Sequence, residues 1–220
     1  MKYYIYTIKF VQNMLVGGSV LYLMSMPVLL GLYPEYVSRD LVATLFLVSL
    51  LSVTFVMLIR PLADLLPRQR WLRSLVILRK GFGVVSASII VSFILGKMVA
   101  GGVTGYLSAL ATSAYWSLDG FALLAHLGDI TAIILLLTSN NFSKRVLGKG
   151  WKRVQKLAYI YFYAGASYEV FAFESSLALV CIALVTALVL AAFVRNRFLQ
   201  KAKPVPVKSP VSPQPFTVTL

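Results

Sequence analysis

Residues 41–59 read LVATLFLVSLLSVTFVMLI, nineteen positions without a charged side chain, followed at once by Arg60-Pro61. A helix needs about 20 apolar residues to cross a bilayer core roughly 30 Å thick. This run therefore predicts a transmembrane helix, with an arginine at the headgroups and a proline that stops the helix. Five further runs of comparable length flank it, at 8–33, 82–99, 121–139, 154–173 and 175–194. The six together predict an all-α integral membrane bundle over residues 1–199. Composition agrees: 59% of the 220 residues are hydrophobic, against about 45–50% in soluble domains, and mean hydropathy is +0.83. The first run is too long for a cleaved leader, and Ser25-Met26-Pro27 is a poor cleavage site, so it reads as a retained helix.

The net charge of +14 is distributed unevenly. Residues 60–80 carry Arg60, Arg68, Arg70, Arg73, Arg79 and Lys80, and residues 140–153 carry Lys144, Arg145, Lys149, Lys152 and Arg153. Beyond the last run come Arg195, Arg197, Lys201, Lys203 and Lys208. The alternate connections hold only Arg39 and Lys97 as cations, and they carry five of the seven acids: Glu35, Asp40, Asp119, Glu169 and Glu174. This alternation is the positive-inside pattern. It predicts an even number of crossings, both termini in the cytoplasm, and residence in the inner (cytoplasmic) membrane. Basic cytoplasmic loops meet anionic lipid headgroups, so the charge implies lipid contact and no nucleic acid. Residues 200–220 hold Pro204, Pro206, Pro210, Pro213 and Pro215 and predict an extended basic tail, free or laid along a partner.

Within the runs, Ser88, Ser92, Gly96 and Ala100 recur every four positions and share a helix face. Such small stripes let membrane helices approach closely; the alternative is a polar lining for a cofactor or pathway. His126, the only histidine, stands three residues before Asp129, which puts both on one face near the outer end of the fourth run. The expected arrangement is a His–Asp hydrogen bond at the interface, with a ligand or proton-handling role as the alternative. Cys181 is the only cysteine, which excludes an intrachain disulfide and a cysteine metal cluster, and it reads as a small core residue. Asp64, with arginines on both sides in sequence, reads as a solvated ion pair. Residues 100–120 form the longest outer connection, with room for a short interfacial helix. No GxGxxG, P-loop, HExxH or CxxC motif occurs, and nothing singles out a catalytic residue.

Three stretches carry a family likeness: Leu58-Ile59-Arg60-Pro61-Leu62; Leu78-Arg79-Lys80 followed by Gly83; and Leu137-Thr138-Ser139 leading through Leu147-Gly148 to Trp151, Val154, Leu157 and Tyr159. On these residues 55–168 resemble the ferric-reductase-like transmembrane family, nearest to the six-helix haem-binding membrane subunits of the bacterial methionine-sulfoxide reductase system. The resemblance implies haem ligands at three positions that hold no histidine here. The inner ligand of the fifth helix falls on Gln155, the outer one on Tyr168, and that of the third helix near Ser92. Low-spin haem requires two strong axial donors, and His126 matches no ligand position of the family.

The resemblance with its ligands missing predicts a haem-free accessory subunit of a larger membrane complex, bound to other integral membrane subunits and without catalysis of its own. The alternative is a divergent electron-transfer subunit that holds haem b or a chlorophyll-type pigment through His126, Gln155, Tyr168 or Ser92. A third class, a small transporter, requires Asp129 or His126. Without a haem, aromatic bulk on the fifth helix and the small face of the third are expected to pack together, since an empty interior loses contacts.

Overall fold

The computed structural model describes residues 2–117 and 121–201, all in helices and short connections, with no strand among them. The first helix, α1 (Lys2–Leu32), begins before its apolar run and continues past Pro27. A short turn at Pro34–Tyr36 leads to α2 (Arg39–Leu65), capped by the Ser38 hydroxyl, which accepts from the Leu41 N–H at 3.1 Å. A six-residue helix, α3 (Arg70–Leu75), precedes α4 (Leu78–Leu110). After a turn at Ser113–Trp116 come α5 (Ala122–Thr138), α6 (Asn141–Leu147) and the single turn α7 (Trp151–Val154). The chain ends in α8 (Leu157–Phe173) and α9 (Ser176–Lys201).

Among the described residues four stretches are long and apolar enough to cross a membrane: Tyr3–Leu32, Arg39–Leu65, Trp71–Leu110 and Ser176–Phe198. Ala122–Thr138 and Phe142–Val154 together make a fifth, bent by 93°. The bend follows from Asn140, whose side chain accepts from the Ser143 N–H at 2.6 Å and starts a new helix in a new direction. With 17 residues, α8 is shorter than any of these.

The structure moves three predicted boundaries. Pro61 does not stop α2, which runs on to Leu65. Proline removes only the backbone bond to the Met57 carbonyl; beyond it Ala63 is buried, and the Arg195 guanidinium donates to the Asp64 carbonyl, one of the carbonyls left open at the helix end. The fifth run does not begin a helix at 154, because the helix breaks at Gln155 and Lys156 between α7 and α8. α4 extends to Leu110 through a kink at Gly102 (φ 75°, ψ 154°), a conformation open essentially to glycine alone. The segment after the kink fills the place expected for a short interfacial helix. Residues 202–220, most of the proline-rich tail, and Asp119 lie outside the described residues.

Packing defines the architecture. α2, α4, α5, α8 and α9 touch in sequence around a ring that closes from α9 back to α2, and α2 also reaches α8 across it. α1 stands outside this ring against α4. The seam between α1 and α4 is close: a Cβ on Gly31 would stand 2.6 Å from the Val99 side chain, and one on Gly96 would stand 2.8 Å from Leu30. Ser92 turns to the same seam, with its hydroxyl 3.1 Å from that of Tyr22. Ser92 and Gly96 of the small-residue stripe thus pack against α1 rather than against the aromatic helix α8 expected from sequence, while Ala100 is exposed. The outward side of α1 is apolar and exposed, with Phe10, Met14, Leu21 and Met24 uncovered. The Arg195–Asp64 contact also sets the C-terminal ends of α2 and α9 side by side.

Candidate functional site

Four helices of the ring enclose a cavity of about 150 Å³. Each contributes one face, at helical spacing. Phe46, Ser49, Leu50 and Val53 come from α2, and Ile90, Phe93, Ile94 and Lys97 from α4. α5 supplies Ala125, Gly128 and Asp129; α8 supplies Tyr161, Phe162, Gly165, Ala166, Tyr168 and Glu169. Gly128 and Gly165 face each other between α5 and α8 with room to spare, since a Cβ on Gly128 would stand at an ordinary 3.9 Å from the Gly165 Cα. Phe46 and Phe93 stack at 5.0 Å between α2 and α4.

The cavity wall has two unlike parts. At the inner end the Tyr161 hydroxyl lies 2.8 Å from the Ser86 hydroxyl and 3.3 Å from that of Ser49, and the two serine hydroxyls are 2.9 Å apart. Ser86 Oγ also donates to the Ser49 carbonyl at 3.0 Å. These buried polar groups satisfy one another and tie α2, α4 and α8 together. Phe162, 1% exposed, fills the space beside them. Lys97, Asp129 and Glu169 line the rest of the wall from three different helices, Asp129 and Glu169 half-buried and Lys97 exposed. Ionisable side chains inside a membrane are costly to bury and mark functional positions.

Nothing in the sequence marks these three residues as a group. Lys97 and Glu169 read as charges of the outer connections, whereas each lies within a helix and lines the cavity. Their spacing carried a signal: Lys97 follows Ile90 and Ile94 on one face of α4, and Glu169 follows Phe162 and Gly165 on one face of α8.

The four residues proposed as ligand positions are dispersed. Tyr168 lines the cavity, with its ring edge-on to Phe173 at 5.8 Å. Ser92 faces Tyr22 of α1, and its hydroxyl lies 2.7 Å from the Ile89 carbonyl oxygen. Gln155 caps α7 at the break before α8. His126 packs against Trp116, with ring centres 5.9 Å apart, and is absent from the cavity wall. His126 Nδ1 and Asp129 Oδ2 are 3.8 Å apart, on one face as expected, at ion-pair rather than hydrogen-bond distance. Among the described residues Asp64 makes no ion pair, contrary to its reading from sequence.

These residues do not fit a haem held by two axial donors. The donors do not converge, and pockets for drug-sized ligands span about 300–1,000 Å³, at least twice this cavity. Among the described residues no three of histidine, cysteine, aspartate and glutamate are grouped to hold a metal ion. Comparison with protein-family models, curated proteins and solved structures finds no match to this chain.

Proposed function

We propose that this multi-pass membrane protein is a haem-free member of the ferric-reductase-like architecture, an accessory subunit that holds its place in a larger membrane complex beside other integral membrane subunits. The supporting observation is the closure of the interhelical space: Tyr161, Ser86 and Ser49 join α8, α4 and α2 directly, leaving about 150 Å³. An interior so knit together favours a scaffold over a carrier of a large planar cofactor.

In this reading the bundle has six spans and both termini on the cytoplasmic side of the inner membrane. α5 and α8, with 17 residues each, reach about 25 Å at 1.5 Å per residue, the short limit for a crossing. The contact between Arg195 and Asp64 agrees with the even count, because α2 and α9 end on one side only when an even number of crossings separates their ends, a condition that four spans also meet.

The test is gentle purification from the native membrane, with absorption spectra before and after reduction and identification of the proteins retained. A stoichiometric set of membrane partners and no reduction-sensitive haem band is the expected result. A haem band that shifts on reduction sinks the scaffold reading, and a chain that purifies alone removes the complex.

One observation favours a second reading, a proton or ion path: Lys97, Asp129 and Glu169 all line the one cavity. In proteoliposomes, Asp129→Asn and Glu169→Gln would then each abolish a pH-gradient-driven flux shown by the unaltered protein. Absence of any flux from the unaltered protein disposes of this reading.

A further inference from the structure

A second pocket, of about 370 Å³, lies at the opposite end of α2 and α4 from the acidic cluster. Arg60 reaches it from the last turns of α2, Arg73 from α3, and Arg79 from the first turn of α4. Three guanidinium groups from three helices thus face one concavity, whose apolar wall includes Ala63 and Val76. One carboxylate, Asp64, shares the pocket, and none of the three arginines pairs with it. The Arg195 guanidinium is engaged by the Asp64 carbonyl. The pocket therefore carries an excess of positive charge over its single acid.

Guanidinium groups donate in a planar fork that matches the oxygens of a phosphate, and several arginines around one pocket suit an oxyanion. Depth narrows the choice. Trp71, two residues from Arg73, is exposed on α3, with its indole N–H donating to Gln69 at 2.9 Å. Exposed tryptophans at helix ends mark the headgroup level. Basic pockets between membrane helices at that level take the phosphate of anionic lipids, with acyl chains running down the apolar helix faces.

We propose that the pocket formed by Arg60, Arg73 and Arg79 binds a phosphate group, that of an anionic phospholipid headgroup. The apolar wall formed by Ala63 and Val76 receives the first carbons of the lipid, which a free phosphate lacks.

The test uses the full chain in mild detergent with added phosphatidylglycerol or phosphatidylcholine, and native mass spectrometry counts the lipid retained. Phosphatidylglycerol is expected to bind at least about tenfold more tightly than phosphatidylcholine. Arg73→Gln and Arg79→Gln should each weaken its retention about tenfold, the scale of one charge-assisted hydrogen bond. Lys80→Gln, which removes an equal charge from a neighbouring residue outside the pocket, should leave retention unchanged. Asp64→Asn should strengthen it by removing the opposing acid. Arg73 lies on the exposed rim, so its variant decides the matter even where Arg79→Gln does not fold. Inorganic phosphate at millimolar concentration distinguishes the sources: failure to displace the lipid assigns the site to a headgroup, and displacement with equal affinity assigns it to free phosphate. Equal retention by Arg73→Gln and the unaltered protein, or equal loss in Lys80→Gln, overturns the proposal.

Discussion

The two faces of α4 are built on different principles. Toward α1 the face is small: Gly96, and Gly31 opposite it on α1, sit where a Cβ would come within 3 Å of the other helix, and Ser92 meets Tyr22 across the seam. Toward α2 and α8 the face carries phenylalanine, isoleucine and lysine, a hydroxyl network at Ser86, and a cavity. The first face leaves no room for anything but a helix. The second has room for polar groups and a small molecule. In a membrane, where lipid tails are as apolar as leucine, close contact and hydrogen bonds hold helices together. The α1 seam relies mainly on close contact, and the ring interior relies on hydrogen bonds together with large side chains.

The largest effect should come from removing the bulk that keeps the interior closed. Phe162 is the largest of the fully buried side chains. Phe162→Ala should cost about 3–5 kcal/mol in unfolding free energy and enlarge the cavity, as measured by titration with a denaturing detergent. A cost below about 1 kcal/mol would mean that the helices collapse into the space and that the interior is less knit than its hydrogen bonds suggest. Next in size is the α1 seam. Gly96→Ala or Gly31→Ala should cost about 1–3 kcal/mol by overpacking, with α1 becoming more accessible to protease. Tyr161→Phe should cost about 1 kcal/mol, because Ser49 and Ser86 stay bonded to each other at 2.9 Å. A much larger loss for Tyr161→Phe would show that the network acts as a unit.

The same contrast governs what the sequence discloses. Helicity, the apolar runs and the small stripe of α4 depend on composition and on spacing within one segment, so residues 41–59 and Ser88, Ser92 and Gly96 can be read directly. Pro61 looks like a stop in the sequence, whereas a helix loses only one backbone bond at a proline and continues where the following turn is packed, as Ala63 is here. The cavity and its charges depend wholly on which helices meet. Lys97, Asp129 and Glu169 are far apart in sequence, and charges near the ends of apolar runs look like headgroup charges until packing sets them on one cavity wall, where Asp129 and Glu169 are half-buried and Lys97 stays exposed. Ser49, Ser86 and Tyr161 are inconspicuous for the same reason: one hydroxyl in an apolar run indicates nothing until its partners are known. The family resemblance points to Ser92 and Tyr168, whereas the direct junction between the two helices is Ser86 with Tyr161, each a little under two turns before those positions.

The smallest predicted effect has the opposite sign and separates the two faces most cleanly. Gly165 lies on α8 at the cavity, and a Cβ added there meets nothing within 4 Å, whereas one on Gly96 meets Leu30 at 2.8 Å. Both glycines are helical, so alanine gains the same backbone term at each, about 0.5–1 kcal/mol from reduced chain entropy. At Gly96 the collision outweighs that gain. At Gly165 nothing opposes it, and Gly165→Ala should raise stability by a few tenths to about 1 kcal/mol in the same detergent titration. The pair of variants therefore reads the difference between the faces with the substitution held constant. If Gly165→Ala is as damaging as Gly96→Ala, the space beside Gly165 is needed by something that occupies it in the membrane. The cavity, and the acidic groups on its wall, would then be a binding site.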